Sequence, residues 1–166
     1  MTETTNAPAH AGRYLTFSVA DEVYGLDILR VQEIVGMIPL TRVPRLPDSV
    51  AGVVNLRGRI IPVLELRRSL GLPPVVHSER TCIIIVRSEL DGVTRVTGLI
   101  VDGVSDVVDL APVDIEDTPE FGQSIETPYL SGIGRHEERI LLLLDIDTIL
   151  ANCTVDVADI DQSPAA

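Results

Sequence analysis

The apolar residues of this chain come in short, β-branched runs, and each run stops at Gly, Pro or Asp before it is long enough for a packed helix. Residues 14–19 alternate apolar with small polar side chains, the period of a half-buried strand. Ala20-Asp21-Glu22 reads as a turn and residues 23–28 as the returning strand. Residues 29–35 form too short a window to separate a helical turn from a strand. Pro39, Pro44 and Pro47 then exclude a central strand and call for an irregular loop. Residues 52–56 and 60–66 form a hairpin about Arg57-Gly58-Arg59, where Gly58 supplies the permissive backbone of a tight turn. Pro62 in the return run marks an edge or a bulge. Residues 65–70 read as a short helix stopped by Gly71 and Pro73.

The second half repeats the style. Residues 81–86 are a buried strand, Leu90-Asp91-Gly92 a hairpin turn, and residues 94–101 the partner. Residues 104–110 form another strand, 114–127 an irregular acidic loop, and 129–133 with 140–144 a final hairpin around residues 134–139. Asp145 or Asp147 can cap a short terminal helix through Leu150. Residues 1–12 read as a flexible tail and 153–166 as an acidic, disordered one. Some ten short strands without long amphipathic helices give an all-β class, suited to two small barrels that divide near residues 78–80.

The core of such a fold must be aliphatic, because aromatic residues make up 3% of the chain and Trp is absent. Cys82 and Cys153 are too few for a disulfide framework, and Cys82, within an apolar run, reads as a small buried hydrophobe. No basic segment leads into an apolar one at the N-terminus, and no apolar stretch is long enough to cross a bilayer, so a cytoplasmic location is expected. A net charge of −12 argues against nucleic acid as a partner. All 13 basic residues are Arg. Residues 1–80 hold 9 Arg and 8 acids, whereas residues 81–166 hold 4 Arg and 17 acids, so the halves offer different surfaces.

Catalytic patterns are missing. Gly103-Val104-Ser105-Asp106-Val107 lacks the second Gly of a nucleophile elbow. Gly132-Ile133-Gly134 lacks the third Gly of a dinucleotide fingerprint, and a phosphate loop of the G-x-x-x-x-G-K type needs a Lys the chain does not have. His10, His77 and His136 lack zinc-ligand spacing. Asp102, Asp106 and Asp109, like Asp156, Asp159 and Asp161, fit solvated faces better than a cation loop, which needs a central Gly and a terminal Glu. No cofactor or metal is expected. A hydrolase built on Ser105 or Cys82 would lack a visible base, and a small-ligand sensor would need a sizeable apolar cavity.

Two features stand out instead. Glu33 lies among Val31, Ile34 and Val35, and Arg57 sits at the mouth of the Gly58 turn. Pairing of the two segments would make either a weak exposed ion pair or a shaped recognition loop, with Gly52 and Gly58 admitting a partner's close approach. Val101, Val104, Val107 and Val108 crowd around Asp102-Gly103, either as core or as an outward apolar surface.

These segments resemble a known family. Val23-Tyr24-Gly25-Leu26-Asp27-Ile28-Leu29-Arg30-Val31-Gln32-Glu33-Ile34 is similar to the opening signature of CheW, the chemotaxis coupling family. Gly52-Val53-Val54-Asn55-Leu56-Arg57-Gly58-Arg59-Ile60-Ile61-Pro62-Val63 resembles its central hairpin, and Gly98-Leu99-Ile100-Val101-Asp102-Gly103-Val104-Ser105-Asp106-Val107 its second-barrel motif. Tyr129-Leu130-Ser131-Gly132-Ile133-Gly134 and Leu144-Asp145-Ile146-Asp147 match its final hairpin and helix. The resemblance implies two SH3-like five-stranded barrels with short connecting and C-terminal helices, and a possible strand crossover between the barrels. It implies a non-enzymatic adaptor that couples methyl-accepting receptor tips to the regulatory domain of the histidine kinase CheA, recruited to receptor arrays at the membrane's inner face. A coupling role in a non-flagellar pathway is the alternative. Carried over by position, Val31, Glu33, Gly52, Asn55, Arg57 and Gly58 fall on coupling positions. Gly98, Leu99, Val101, Val104 and Val107 fall on a receptor-facing groove.

Overall fold

A computed structural model of the chain describes residues 10–90, 92–116 and 129–151. The strands in chain order are β1 (Gly12–Val19), β2 (Glu22–Asp27), β3 (Val31–Gly36), β4 (Val50–Leu56), β5 (Arg59–Glu65), β6 (Cys82–Leu90), β7 (Val93–Val101), β8 (Gly103–Leu110), β9 (Ile115–Glu116), β10 (Leu130–His136) and β11 (Arg139–Leu144). Two short helices, α1 (Leu66–Ser69) and α2 (Ile146–Ala151), and 3-10 turns at Ile28–Arg30 and Pro112–Asp114 complete the elements. The class is all-β, as the periodicity requires.

The strands form two sheets. One has five strands in the order β3-β6-β7-β5-β4, and the other six, β8-β1-β2-β11-β10-β9, the sixth being the two-residue β9. Each sheet takes strands from both sides of residues 78–80. The N-terminal hairpin leaves its sequence neighbours to pair with β8 in an antiparallel ladder and with β11 in a parallel contact, Tyr24 opposite Leu142. The chain changes sheet at two places, the 3-10 turn Ile28–Arg30 and Asp102 between β7 and β8.

Three cores follow from this arrangement. Val54, Ile61, Val63, Ile83, Ile85 and Ile100 fill the five-stranded sheet, and Tyr14, Val108, Leu110, Leu141 and Leu143 fill the six-stranded one. The third and largest lies between the sheets and includes Leu15, Phe17, Leu26, Leu64, Ile84, Val86, Leu99, Val101 and Ile149. Strand alternation divides β6 between two of them: Ile83 and Ile85 point into their own sheet, Ile84 and Val86 into the space between sheets. That is why residues 82–86 read as continuously apolar rather than alternating.

Two positions differ from the reading of the sequence. Pro62 does not sit on an edge strand, since β5 lies between β7 and β4. The β5–β7 ladder begins only at Val63, so the missing N–H of Pro62 opposes no partner there. The final hairpin is also tighter than residues 134–139 suggest. Its ladder runs to His136 opposite Arg139, with Glu137 at φ 58° in the two-residue turn. The expected acidic loop begins with a 3-10 turn and β9, and its remainder, like the C-terminal tail from residue 152, lies outside the described residues. At the other end Gly12 already belongs to β1.

Candidate functional site

The sharpest polar feature of the surface is the β4–β5 turn. Arg57 (φ 54°) and Gly58 (φ 84°) both take the left-handed backbone that a two-residue turn between twisted strands demands. Asn55 stabilises it, its Oδ1 accepting the Gly58 N–H at 2.9 Å. The turn aims Arg57 across the barrel mouth at Glu33 on β3, and the guanidinium donates two hydrogen bonds of 2.7 Å, one to each carboxylate oxygen. β3 and β4 are the two margins of the five-stranded sheet, so this pair spans its open seam. The bonded guanidinium holds the Glu33 carboxyl below its ordinary range, and Glu33 in turn raises Arg57. Arg57 remains 69% exposed, so the pair lies where another molecule can reach it.

The structure thus brings Glu33, Asn55, Arg57 and Gly58 together at one end of a barrel. Val31 lies two residues before Glu33, half-buried at the margin of the core between the sheets. Gly52 is placed differently from the expectation. Its backbone (φ 152°) is approached by the chain itself: a Cβ there would lie 2.5 Å from the carbonyl oxygen of Thr41. Thr41 and Val53 exchange backbone hydrogen bonds of 2.8 and 2.9 Å, which dock the proline-rich loop on β4. Gly52 therefore makes room for an internal neighbour.

The proposed groove divides in the same way. Leu99 is 0% and Val101 1% exposed, both in the core between the sheets, and neither side chain faces a partner. Gly98 is buried too, where a Cβ would come within 2.7 Å of Ile83 Cγ2 and 3.2 Å of Val63 Cγ2. Their outward assignment fails because β7 is a central strand with both faces covered. Val104 is half-buried at the margin of the core, and Val107, 48% exposed on the marginal strand β8, does face outward.

Sequence reading missed the groups that join the two sheets. Arg67 of α1 is buried, and its Nε and Nη2 donate to Asp102 at 3.2 and 2.7 Å while Nη1 donates to the Pro73 carbonyl at 2.9 Å. The same Asp102 carboxylate accepts the Ala20 N–H at 2.8 Å, and its own N–H donates to the Ser18 carbonyl. Burial opposes its ionisation, but the bonds from Arg67 and Ala20 prevail and hold the Asp102 carboxyl below its ordinary range. At α2, Arg30 of the first sheet-changing turn donates to both oxygens of Asp147 at 3.0 and 2.6 Å. Asp145, not Asp147, is the helix cap, accepting the Thr148 N–H. The available signal was an Arg inside a four-residue helix next to an apolar Leu66, a setting in which a guanidinium needs a carboxylate.

No catalytic arrangement emerges among the described residues. No three His, Cys, Asp or Glu side chains there converge as a metal site. Burial pushes the Cys82 thiol up, away from the reactive thiolate. Among the described residues no helix is long and apolar enough to cross a membrane.

Comparison with known proteins agrees with this architecture. The family profile of the CheW-like domain matches residues 13–153. The chain is 41% identical over 146 residues to the chemotaxis protein CheW of Klebsiella aerogenes, covering 88% of this chain and 86% of that one. It is 34% identical over 149 residues to the chemotaxis protein CheW of Rhizobium meliloti, covering 87% and 94%. Among solved structures, the scaffolding protein TtCheW from Thermoanaerobacter tengcongensis superposes with a TM-score of 0.70 at 35% identity, over 81% of this chain and 88% of that one. With the two-sheet fold and these matches together, the chain belongs to the CheW family of chemotaxis scaffold proteins.

Proposed function

We propose that this chain is a non-enzymatic coupling scaffold that holds methyl-accepting receptor tips and the regulatory domain of CheA together, so that receptor state controls kinase activity. The observation that carries the reading is the exposed, bidentate Glu33–Arg57 pair on a rigid two-residue turn. A surface charge pair adds little to stability, so its fixed geometry is better explained by what it presents. Val31, Val104 and Val107 supply apolar surface beside the seam between sheets, suited to the face of a receptor helix. Gly52, Gly98, Leu99 and Val101 act beneath that surface by fixing the strands that carry it. Such a scaffold works at the inner face of the membrane, recruited there by its receptors and without inserting.

Reconstitution tests this. Kinase autophosphorylation is measured with receptor tip fragments and cognate CheA, with and without the chain. A rise that depends on the chain supports coupling. No rise, together with no binding to either partner, overturns it.

A further inference from the structure

His10, just ahead of β1, is held in a way that only one protonation state satisfies. Its Nδ1 lies 2.9 Å from the Ala11 carbonyl oxygen and its Nε2 3.0 Å from Asp27 Oδ2. Both neighbours are acceptor oxygens, one of a carbonyl and one of a carboxylate, and both bonds are made when both ring nitrogens donate. Neutral imidazole has one N–H and would turn a lone pair towards one of them. The arm is fastened a second time by Tyr14 Oη, which donates to the His10 carbonyl at 2.5 Å. Burial pushes the Tyr14 phenol up, which keeps it a donor.

The anchor matters because of what Asp27 does. Its other oxygen caps the sheet-changing 3-10 turn by accepting the Leu29 N–H at 3.0 Å. Arg30, three residues after Asp27, grips Asp147 of α2. His10 thus closes a chain of contacts from the N-terminal arm through the sheet-to-sheet linker to the C-terminal helix, across a cleft lined by Tyr14, Asp27, Arg30, Asp145 and Asp147. Those are the titratable and charged groups facing the imidazole from β1, β2, the linker and the α2 side. Asp147 is already paired with Arg30, and Asp27 is the carboxylate that bonds the imidazole and favours the cation.

We propose that His10 is a proton-operated clasp, which when protonated pins residues 10–11 at the cleft beside the sheet-changing turn and when neutral releases them. The backbone bond to Ala11 is the main influence raising its affinity for the proton, burial opposes it, and Asp27 adds to it. Since the docked state binds the proton more tightly than the free arm does, the proton's contribution to docking is full below the free-histidine range and drains as pH rises through the docked value.

The test is an NMR titration of the full chain between about pH 5.5 and 8.5, following the His10 ring signals and the backbone heteronuclear NOE of Ala11 and Gly12. The expected result is strand-like NOE values at low pH that fall to those of a free chain end with the midpoint of His10 itself. In Asp27→Asn, which retains the capping oxygen, the His10 midpoint moves down. In His10→Gln the arm's NOE no longer depends on pH. An arm whose order is constant across the range in the wild-type chain, or a His10 midpoint that Asp27→Asn leaves unmoved, overturns the proposal.

Discussion

The two sheets share a curled form and an aliphatic interior but carry opposite charge. Among the described residues, 28–90 with 92–101, which build the five-stranded sheet and its loops, hold ten Arg and five acids, whereas 10–27, 102–116 and 129–151, which build the other, hold three Arg and twelve acids. Exchange of the N-terminal hairpin sharpens a difference that the halves of the sequence show less clearly. The two ion pairs on Arg57 and Arg67 make the same contrast on a smaller scale. One is exposed at a barrel mouth, the other buried where the sheets meet. Burial decides what equal chemistry can do: the first pair stays open to another molecule, and the second joins the sheets. Two faces of unlike charge are what the proposed coupling of two unlike partners calls for.

The join between the sheets is the place to break this comparison most forcefully. Leu99→Ala leaves a cavity in the core between them and is expected to cost about 4 kcal/mol in chemical denaturation. Any loss of coupling should then follow the unfolded fraction. A stable Leu99→Ala protein with a selective binding defect would return that residue to the surface groove.

Asp102→Ala strips Arg67 of its carboxylate and Ala20 of an acceptor, and should cost about 3 kcal/mol, the low end for a buried pair because Asp102 is partly exposed. Its pH dependence has a definite sign. The folded-state carboxyl is depressed, so its contribution is full above the unfolded value near about pH 4 and drains as pH falls through the folded one. Asp102→Asn should lack that segment of the acid-unfolding curve, and an unchanged curve would remove the pair from the account.

Gly52→Ala sharpens the contrast within the five-stranded sheet. Strain at φ 152° and collision with the Thr41 carbonyl should cost about 2 kcal/mol and loosen residues 41–53, read as faster amide exchange at Thr41 and Val53. Unchanged exchange there would mean that the approach at Gly52 is made by something other than the loop.

Much of the fold was legible because it is local. The Arg57-Gly58 turn, the strands of each hairpin and the proline-rich loop all follow from residues close in sequence. The Glu33–Arg57 pair was legible as well, since an acid in an apolar run and an Arg at a turn mouth seek a partner. Strand exchange was legible only as the possible crossover that the family resemblance implies, because β1 beside β8 and β2 beside β11 are distant pairings that periodicity does not encode. For the same reason Val101 and Val107, both valines near one turn, looked alike in sequence although one is enclosed and the other open. Arg67 stayed hidden until its partner 35 residues away was placed beside it.

The most direct test of the central claim is Arg57→Glu, read by unfolding and by receptor-coupled kinase autophosphorylation on the same preparation. The account predicts an unfolding midpoint within error of wild type and loss of coupling, partly restored when Glu33→Arg is added to re-form the pair in reverse. A folded Arg57→Glu protein that couples as well as wild type would contradict it.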